Sequence, residues 1–188
     1  MAESSITLTS EKIRREADET KLIKAAKKDP RAFGELYRLY VNQIFRYLYS
    51  RIGNLEEAED ATSKTFLAAF EAFDKFRQDG HFASWLFAIA RNKAMDHFRQ
   101  RDNSSSVDEI EDVPLENDPL LGVIQSEQTA ALSRLIQALP EGDRELLRLR
   151  FLAEMSFPEI ARILHRNEDA VKKMTYRMLA RLNSQLED

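Results

Sequence analysis

SFPEIARILHRNEDAVKKMTYR, residues 156–177, decides how this chain is read. Ser156 stands three residues before Glu159, with Pro158 in what would be a first turn. That spacing is a capping box, in which a hydroxyl and a carboxylate satisfy the free N–H groups at a helix start. The short helix it opens, Phe157 to Leu164, carries Ala161, small enough for a second helix to cross closely. His165 and Arg166 form a turn, and Asn167 is an N-cap with Glu168 and Asp169 in the following turn. Val171, Met174, Met178 and Leu182 mark the buried side of the second helix. Lys172, Lys173, Tyr176 and Arg177 face largely elsewhere. Two helices, a three-residue turn and a basic second helix make a helix-turn-helix, whose second helix fits a DNA major groove. A plain helical hairpin with a solvated basic face is the competing reading of this segment.

Moving towards the N-terminus, Ala131, Leu132, Leu135, Ile136 and Leu139 give a helix stopped by Pro140. A second helix, from about Glu141 to Ala153, carries Leu146, Leu147, Leu149, Phe151 and Leu152. Before these lies a strap from Asp102 to Glu127 with eight acidic residues and no lysine or arginine. Its polarity argues against independent folding. Across the strap, FASWLFAIARNKAMDHFRQR (82–101) reads as a helix with Trp85 on its apolar side and Arg91, Lys93, Arg99 and Arg101 opposed only by Asp96. Further back, Leu36, Tyr40, Ile44 and Leu48 recur every four residues. Gly53 caps that helix, and Asn54 opens another with Glu57 at capping-box spacing and Phe66, Phe70 and Phe73 as its apolar stripe. Residues 1–17 are polar, and Gln78-Asp79-Gly80 is a break.

No strand pattern or internal repeat interrupts this helical periodicity. The expected fold is all-α: two small helical domains joined by an acidic flexible linker. Of 188 residues, 43% are apolar and 32% charged, which suits small cores and one-sided helices. The net charge of −4 conceals basic patches on either side of the strap. Two such patches on one tether suggest two nucleic-acid readers. Cysteine is absent, which excludes disulfides and thiolate metal sites. No signal-peptide core or bilayer-length apolar run is present, and the expected location is cytoplasmic. His81, His97 and His165 are scattered without metal-ligand spacing, and no phosphate-cradling glycine loop appears. The chain is therefore read as a non-enzyme without cofactor, metal or small-molecule substrate.

The two halves together resemble the extracytoplasmic-function (ECF) class of bacterial sigma factors in the sigma-70 family, over about nine-tenths of the chain. DPRAFGELYRLY (29–40), EEAEDATSKTFLAAF (56–70) and the helix at 82–101 are similar to sigma region 2. LPEGDRELLRLRFLAEMSFPEIARIL (139–164) followed by AVKK (170–173) is similar to region 4. The resemblance implies an N-terminal extension at 1–17, region 2 at 18–101, the linker at 102–126 and region 4 at 127–188. It implies binding to core RNA polymerase through the largest-subunit coiled coil and the flap, with Asp60, Ser63, Lys64 and Phe66 at the first contact. The family usually has Gln-Glu where Ser63 and Lys64 stand here.

Promoter DNA is the second implied partner. Region 2 would open and read the −10 element with Arg77, His81, Arg91, Asn92, Lys93 and Arg99, a flipped base lying against the loop from Phe76 to Phe82. Region 4 would read the −35 duplex with Arg166, Lys172, Lys173, Tyr176, Arg177 and Arg181. His165 and Arg166 replace the glycine and aliphatic residue common in the family's turn. The family's linker follows a basic channel, so the carboxylates here serve either as a phosphate mimic or as a solubilising spacer. An anti-sigma factor is a possible further partner. Two other functions compete: a helix-turn-helix regulator acting without polymerase, and a sigma-like adaptor without initiation activity.

Overall fold

The computed structural model describes residues 19–77, 81–104 and 127–187. The N-terminal extension, most of the acidic strap and the break at 78–80 lie outside them. Among the described residues every regular element is helical: α1 (19–28), α2 (Phe33–Ile52), α3 (Leu55–Ala72), α4 (Phe82–Ser104), α5 (Glu127–Gln137), α6 (Glu141–Leu147), α7 (Phe157–Ile163) and α8 (Glu168–Glu187).

Caps set the helix ends. Gly53 terminates α2 at φ 77°, its N–H donating to Tyr49 O at 2.8 Å. A left-handed conformation there costs glycine nothing sterically. Asn54 then starts α3, its side chain accepting from Glu57 N at 3.1 Å. Helices α2, α3 and α4 pack together through Leu36, Ile44, Leu48, Ile52, Ala61, Ala69, Leu86, Phe87 and Ala90. Phe33, Phe73, Phe76 and Phe82 meet largely edge to face, with centroids 5.2–6.1 Å apart. Such pairs add about 0.5–1.5 kcal/mol each beyond their burial.

In the C-terminal half, α5 and α6 pack on α8, and α7 packs on both α8 and α4. The expected uninterrupted helix to Ala153 is instead α6 followed by a π-helical segment, Arg148–Leu152. Ala153 N donates five residues back to Arg148 O at 2.9 Å, and Met155 N six back to Leu149 O at 3.0 Å. Across this wide turn Leu149 and Leu152 are buried while Phe151 is exposed. The chain then passes through Glu154 at φ 55° into the Ser156 capping box, where Ser156 N donates to Glu159 Oε2 at 2.7 Å.

The two helical units expected from the sequence are both present, and they pack against each other. Buried residues of both halves belong to one continuous apolar cluster, from Ile23 to Leu182. The π-helical segment lies against α2, and α7 lies against α4. The seam includes ionised groups, so its helices look solvent-facing when their sequences are read singly.

Candidate nucleic-acid interface

Helix α8 presents the first basic surface. Val171, Thr175, Met178 and Leu182 are buried, with Thr175 Oγ1 donating to Val171 O at 2.9 Å. That bond satisfies a hydroxyl in a position the sequence assigns to Met174, which is only half-buried. The opposite face carries Lys173, Tyr176 and Arg177, all exposed, Tyr176 at 62%. Tyr176 rests against Phe157 of α7 (centroids 5.9 Å), and the Arg150 guanidinium covers the same phenylalanine at 5.0 Å. Lys172 differs from its neighbours. Its ammonium pairs with Glu168 at 2.7 Å, and this hydrogen bond is the main cause of a raised lysine pKa. Arg181 is turned away, pairing with Asp143 of α6 at 2.7 Å. Arg166 is exposed at the turn, with Nη1 3.5 Å from Met174 Sδ. His165, standing where the family commonly has glycine, takes a left-handed conformation, φ 52°. Asn167 Oδ1 accepts from Asp169 N at 2.8 Å.

The second basic surface lies on α4 and the segment before it. Lys75, Phe76, Arg77, His81, Ser84, Trp85, Ala88 and, from α7, Arg162 line a cavity of about 370 Å³. Trp85, read from its neighbours as core, is half-buried. It packs on Phe76 and Phe82 (4.9 and 5.6 Å) while also lining this cavity. Ser84 Oγ is buried there without a hydrogen-bond partner. One turn beyond Ala88, Asn92 is exposed and Lys93 half-buried. Arg99 is exposed, with Asp96 3.8 Å away. Arg91 points into the seam, its Nε 3.5 Å from Glu145 Oε1. The cavity thus gathers Arg77 and His81, whereas Arg91 faces the other half of the protein.

A third surface runs along α3. Asp60 and Lys64 pair with each other at 2.5 Å in solvent, and Ser63 is exposed beside them. Phe66 is 5% exposed, edge-on to Tyr37 at 4.7 Å, so it supports this surface from beneath. The residues that reach solvent are Leu67 (58% exposed) and Phe70 (46%), with Tyr37 of α2 alongside. Phe70 was expected in the core; one edge does meet Phe33, with centroids 5.3 Å apart. Leu67 and Phe70 lie on one helix face with Asp60, Ser63 and Lys64, at spacings of three to four residues, and that spacing was the available signal for them.

Among the described residues no group of three or more His, Cys, Asp or Glu side chains could hold a metal, and no helix is long and apolar enough to cross a membrane. His97, half-buried, faces Glu57 of α3 at 3.4 Å and joins no second titratable partner in a cleft.

Residues 36–104 match Sigma-70 region 2, and residues 129–182 match Sigma-70, region 4. The chain is 31% identical over 171 residues to the ECF RNA polymerase sigma-E factor of Escherichia coli (strain K12), covering 85% of this chain and 89% of that protein. It is 29% identical over 183 residues to the ECF RNA polymerase sigma factor SigW of Bacillus subtilis, covering 89% and 96%. The ECF RNA polymerase sigma factor BldN of Streptomyces coelicolor is 37% identical over 161 residues; this chain spans 61% of BldN's length. Among solved structures, CnrH in complex with the cytosolic domain of CnrY is similar at a TM-score of 0.65 and 27% identity, over 89% of this chain and 96% of that one. The sigma factor RpoE of Bartonella quintana, crystallised with the anti-sigma factor NepR, shares the fold at a TM-score of 0.61 and 20% identity, over 82% and 96%. Both conserved regions of the family are present here in its order, each on the helices that carry a basic surface, and the chain belongs to the ECF sigma factors of the sigma-70 family.

Proposed function

We propose that this chain is the promoter-specificity subunit of a bacterial RNA polymerase: it binds the core enzyme and directs initiation from promoters carrying a −35 and a −10 element. The observation that carries this is the presence, on one chain, of two separate cationic surfaces on the two matched regions. In this reading residues 18–101 bind core enzyme and the −10 element, 102–126 link, and 127–188 bind the −35 duplex. The catalytic chemistry belongs to the polymerase.

The −35 surface centres on Lys173, Tyr176 and Arg177, with Arg166 at its edge. A basic helix of this shape fits the major groove, where lysine and arginine meet guanine edges and phosphates. Lys172 contributes once its carboxylate partner lets go. Arg181 holds α8 onto α6, giving it a supporting part. The −10 surface uses Arg77, His81, Asn92, Lys93 and Arg99 along the strand and the Trp85 cavity for an extruded base. Stacking on an aromatic ring returns about 1–3 kcal/mol per base, comparable to the few kcal/mol that extrusion costs. Arg91 joins this surface only when it leaves Glu145.

Core polymerase would dock on α3. Leu67 and Phe70 supply apolar area, Asp60, Ser63 and Lys64 a polar margin, and Phe66 the packing that holds Tyr37 in place. Anti-sigma factors are a further partner class, since the RpoE relative is held by one. A regulator working without polymerase is disfavoured, because its N-terminal half would have no reason to match sigma region 2. Gel filtration of the chain with sigma-free core enzyme tests the proposal. Co-elution is expected; indifference to core enzyme with tight unaided binding to duplex DNA would overturn it.

A further inference from the structure

Beside the apolar contacts, one buried carboxylate gathers charged partners from both halves of this protein. Glu145, on α6 of the C-terminal half, is 5% exposed. Its Oε1 accepts from Tyr47 Oη at 2.7 Å and its Oε2 from Arg51 Nη1 at 2.5 Å, both donors on α2 of the N-terminal half. Arg91 Nε of α4 lies 3.5 Å from Oε1, and Arg148 Nη1 lies 3.8 Å from Oε2. Arg148 is itself buried and also donates to Glu141 at 2.7 Å. Burial, and then the charge of Glu145, raise the Tyr47 pKa far above the ordinary phenol range, so this hydroxyl stays a donor.

Three guanidinium groups from three elements therefore converge on one buried anion. A buried anion is stable only while its partners remain in place, and here the donors Tyr47 and Arg51 and the charge of Arg91 come from across the seam. Without the anion, Arg51 and Arg91 would lose the carboxylate they share, and Glu141 alone would remain to oppose the three cations.

The same closure obstructs the −10 surface at two points. It turns the half-buried Arg91 towards Glu145, and it lays α7 on α4 with Arg162 lining the Trp85 cavity. We propose that Glu145 is an intramolecular latch, holding the free chain in a closed form that denies a promoter strand Arg91 and the Trp85 cavity until the halves separate. The identity of the obstructed surface rests on the functional reading above; the latch itself concerns only the two halves of this chain. Separation hydrates every charge in the cluster and so offsets part of the lost pairing, which lets a partner that grips each half open it.

The absence of native cysteine allows clean labelling. Spin labels at Asn42→Cys on α2 and Ser184→Cys on α8, both exposed positions, report the separation of the halves by pulsed dipolar spectroscopy. The otherwise wild-type chain should give one narrow distance. Glu145→Gln, which keeps the shape and removes the charge, should give a broad, longer distribution. It should also raise the affinity of the free chain for a single-stranded promoter oligonucleotide by on the order of thirtyfold, the lower end of what losing a buried charge partner produces. Arg51→Gln, made from the other side of the seam, should broaden the distance in the same way and decides the matter if Glu145→Gln loses its helicity. A narrow distance retained in a folded Glu145→Gln or Arg51→Gln chain, with only a lower Tm, would make Glu145 a local stabiliser and overturn the latch. A broad distance in the wild-type background would overturn it too. A variant that opens yet ignores the oligonucleotide would leave the latch standing and overturn the placement of the −10 surface on α4.

Discussion

Replacing Lys173 and Arg177 together by alanine removes two exposed cations for which the described residues provide no counter-charge. Each phosphate contact contributes about 0.9 to the slope of log affinity against log salt, so the double variant should lose about 1.8 units. Between 50 and 200 mM salt, each lost contact narrows the gap to wild type about 3.5-fold, and two narrow it about 12-fold. The penalty is therefore greatest at low salt. Lys172 should behave differently, because Glu168 sits 2.7 Å from its ammonium and already neutralises it. Lys172→Ala should change the slope by less than about half a unit, whereas Glu168→Gln should strengthen binding and steepen the slope by about one unit as Lys172 is released. Fluorescence anisotropy of a labelled promoter duplex, titrated with core enzyme reconstituted with each variant across that salt range, reads all four quantities. Equal slope losses for Lys172→Ala and Lys173→Ala, or an unchanged slope in the double variant, would refute the assignment of these contacts.

Other consequences concern the remaining surfaces. Leu67→Ser combined with Phe70→Ser should weaken core-enzyme binding at least tenfold in a pull-down titration while lowering Tm by only a few degrees, because Leu67 is mostly exposed and Phe70 loses one edge-to-face contact with Phe33. Asn54→Ala removes the cap that accepts from Glu57 N and should cost about 1 kcal/mol in urea unfolding. His165→Gly relieves a left-handed backbone at φ 52° and should raise stability by about 0.5 kcal/mol, part of the gain being offset by glycine's unfolded-state entropy.

Local rules were legible wherever one short stretch of chain determines the outcome. Gly53, Asn54, Ser156 with Glu159, and Asn167 each do what their side chains dictate, because a cap involves only neighbours within a turn. The α8 face was recognisable in its exposed members, but Thr175 was missed. A threonine buries easily in a helix when its hydroxyl bonds the carbonyl one turn back, and polarity alone hides this. The π-helical turn at Arg148–Leu152 escaped because apolar residues in an α-period and in a widened turn have nearly the same spacing over five positions. Phe70 shows the converse error, since a large apolar side chain reads as core even where the fold leaves it half exposed. The seam was the least legible part. Glu145, Arg51, Arg91 and Arg148 each look solvated in their own helices, and only the three-dimensional pairing makes them interior.

The most direct measurement is multi-round transcription from a library of templates randomised upstream of the start site, using sigma-free core polymerase with and without this chain. Addition of the chain should enrich transcripts whose templates share two short sequence blocks at a fixed separation, one read as duplex and one melted. Transcripts no more numerous or selective than those of core enzyme alone, with the two proteins demonstrably bound to each other, would contradict a role in promoter-specific initiation.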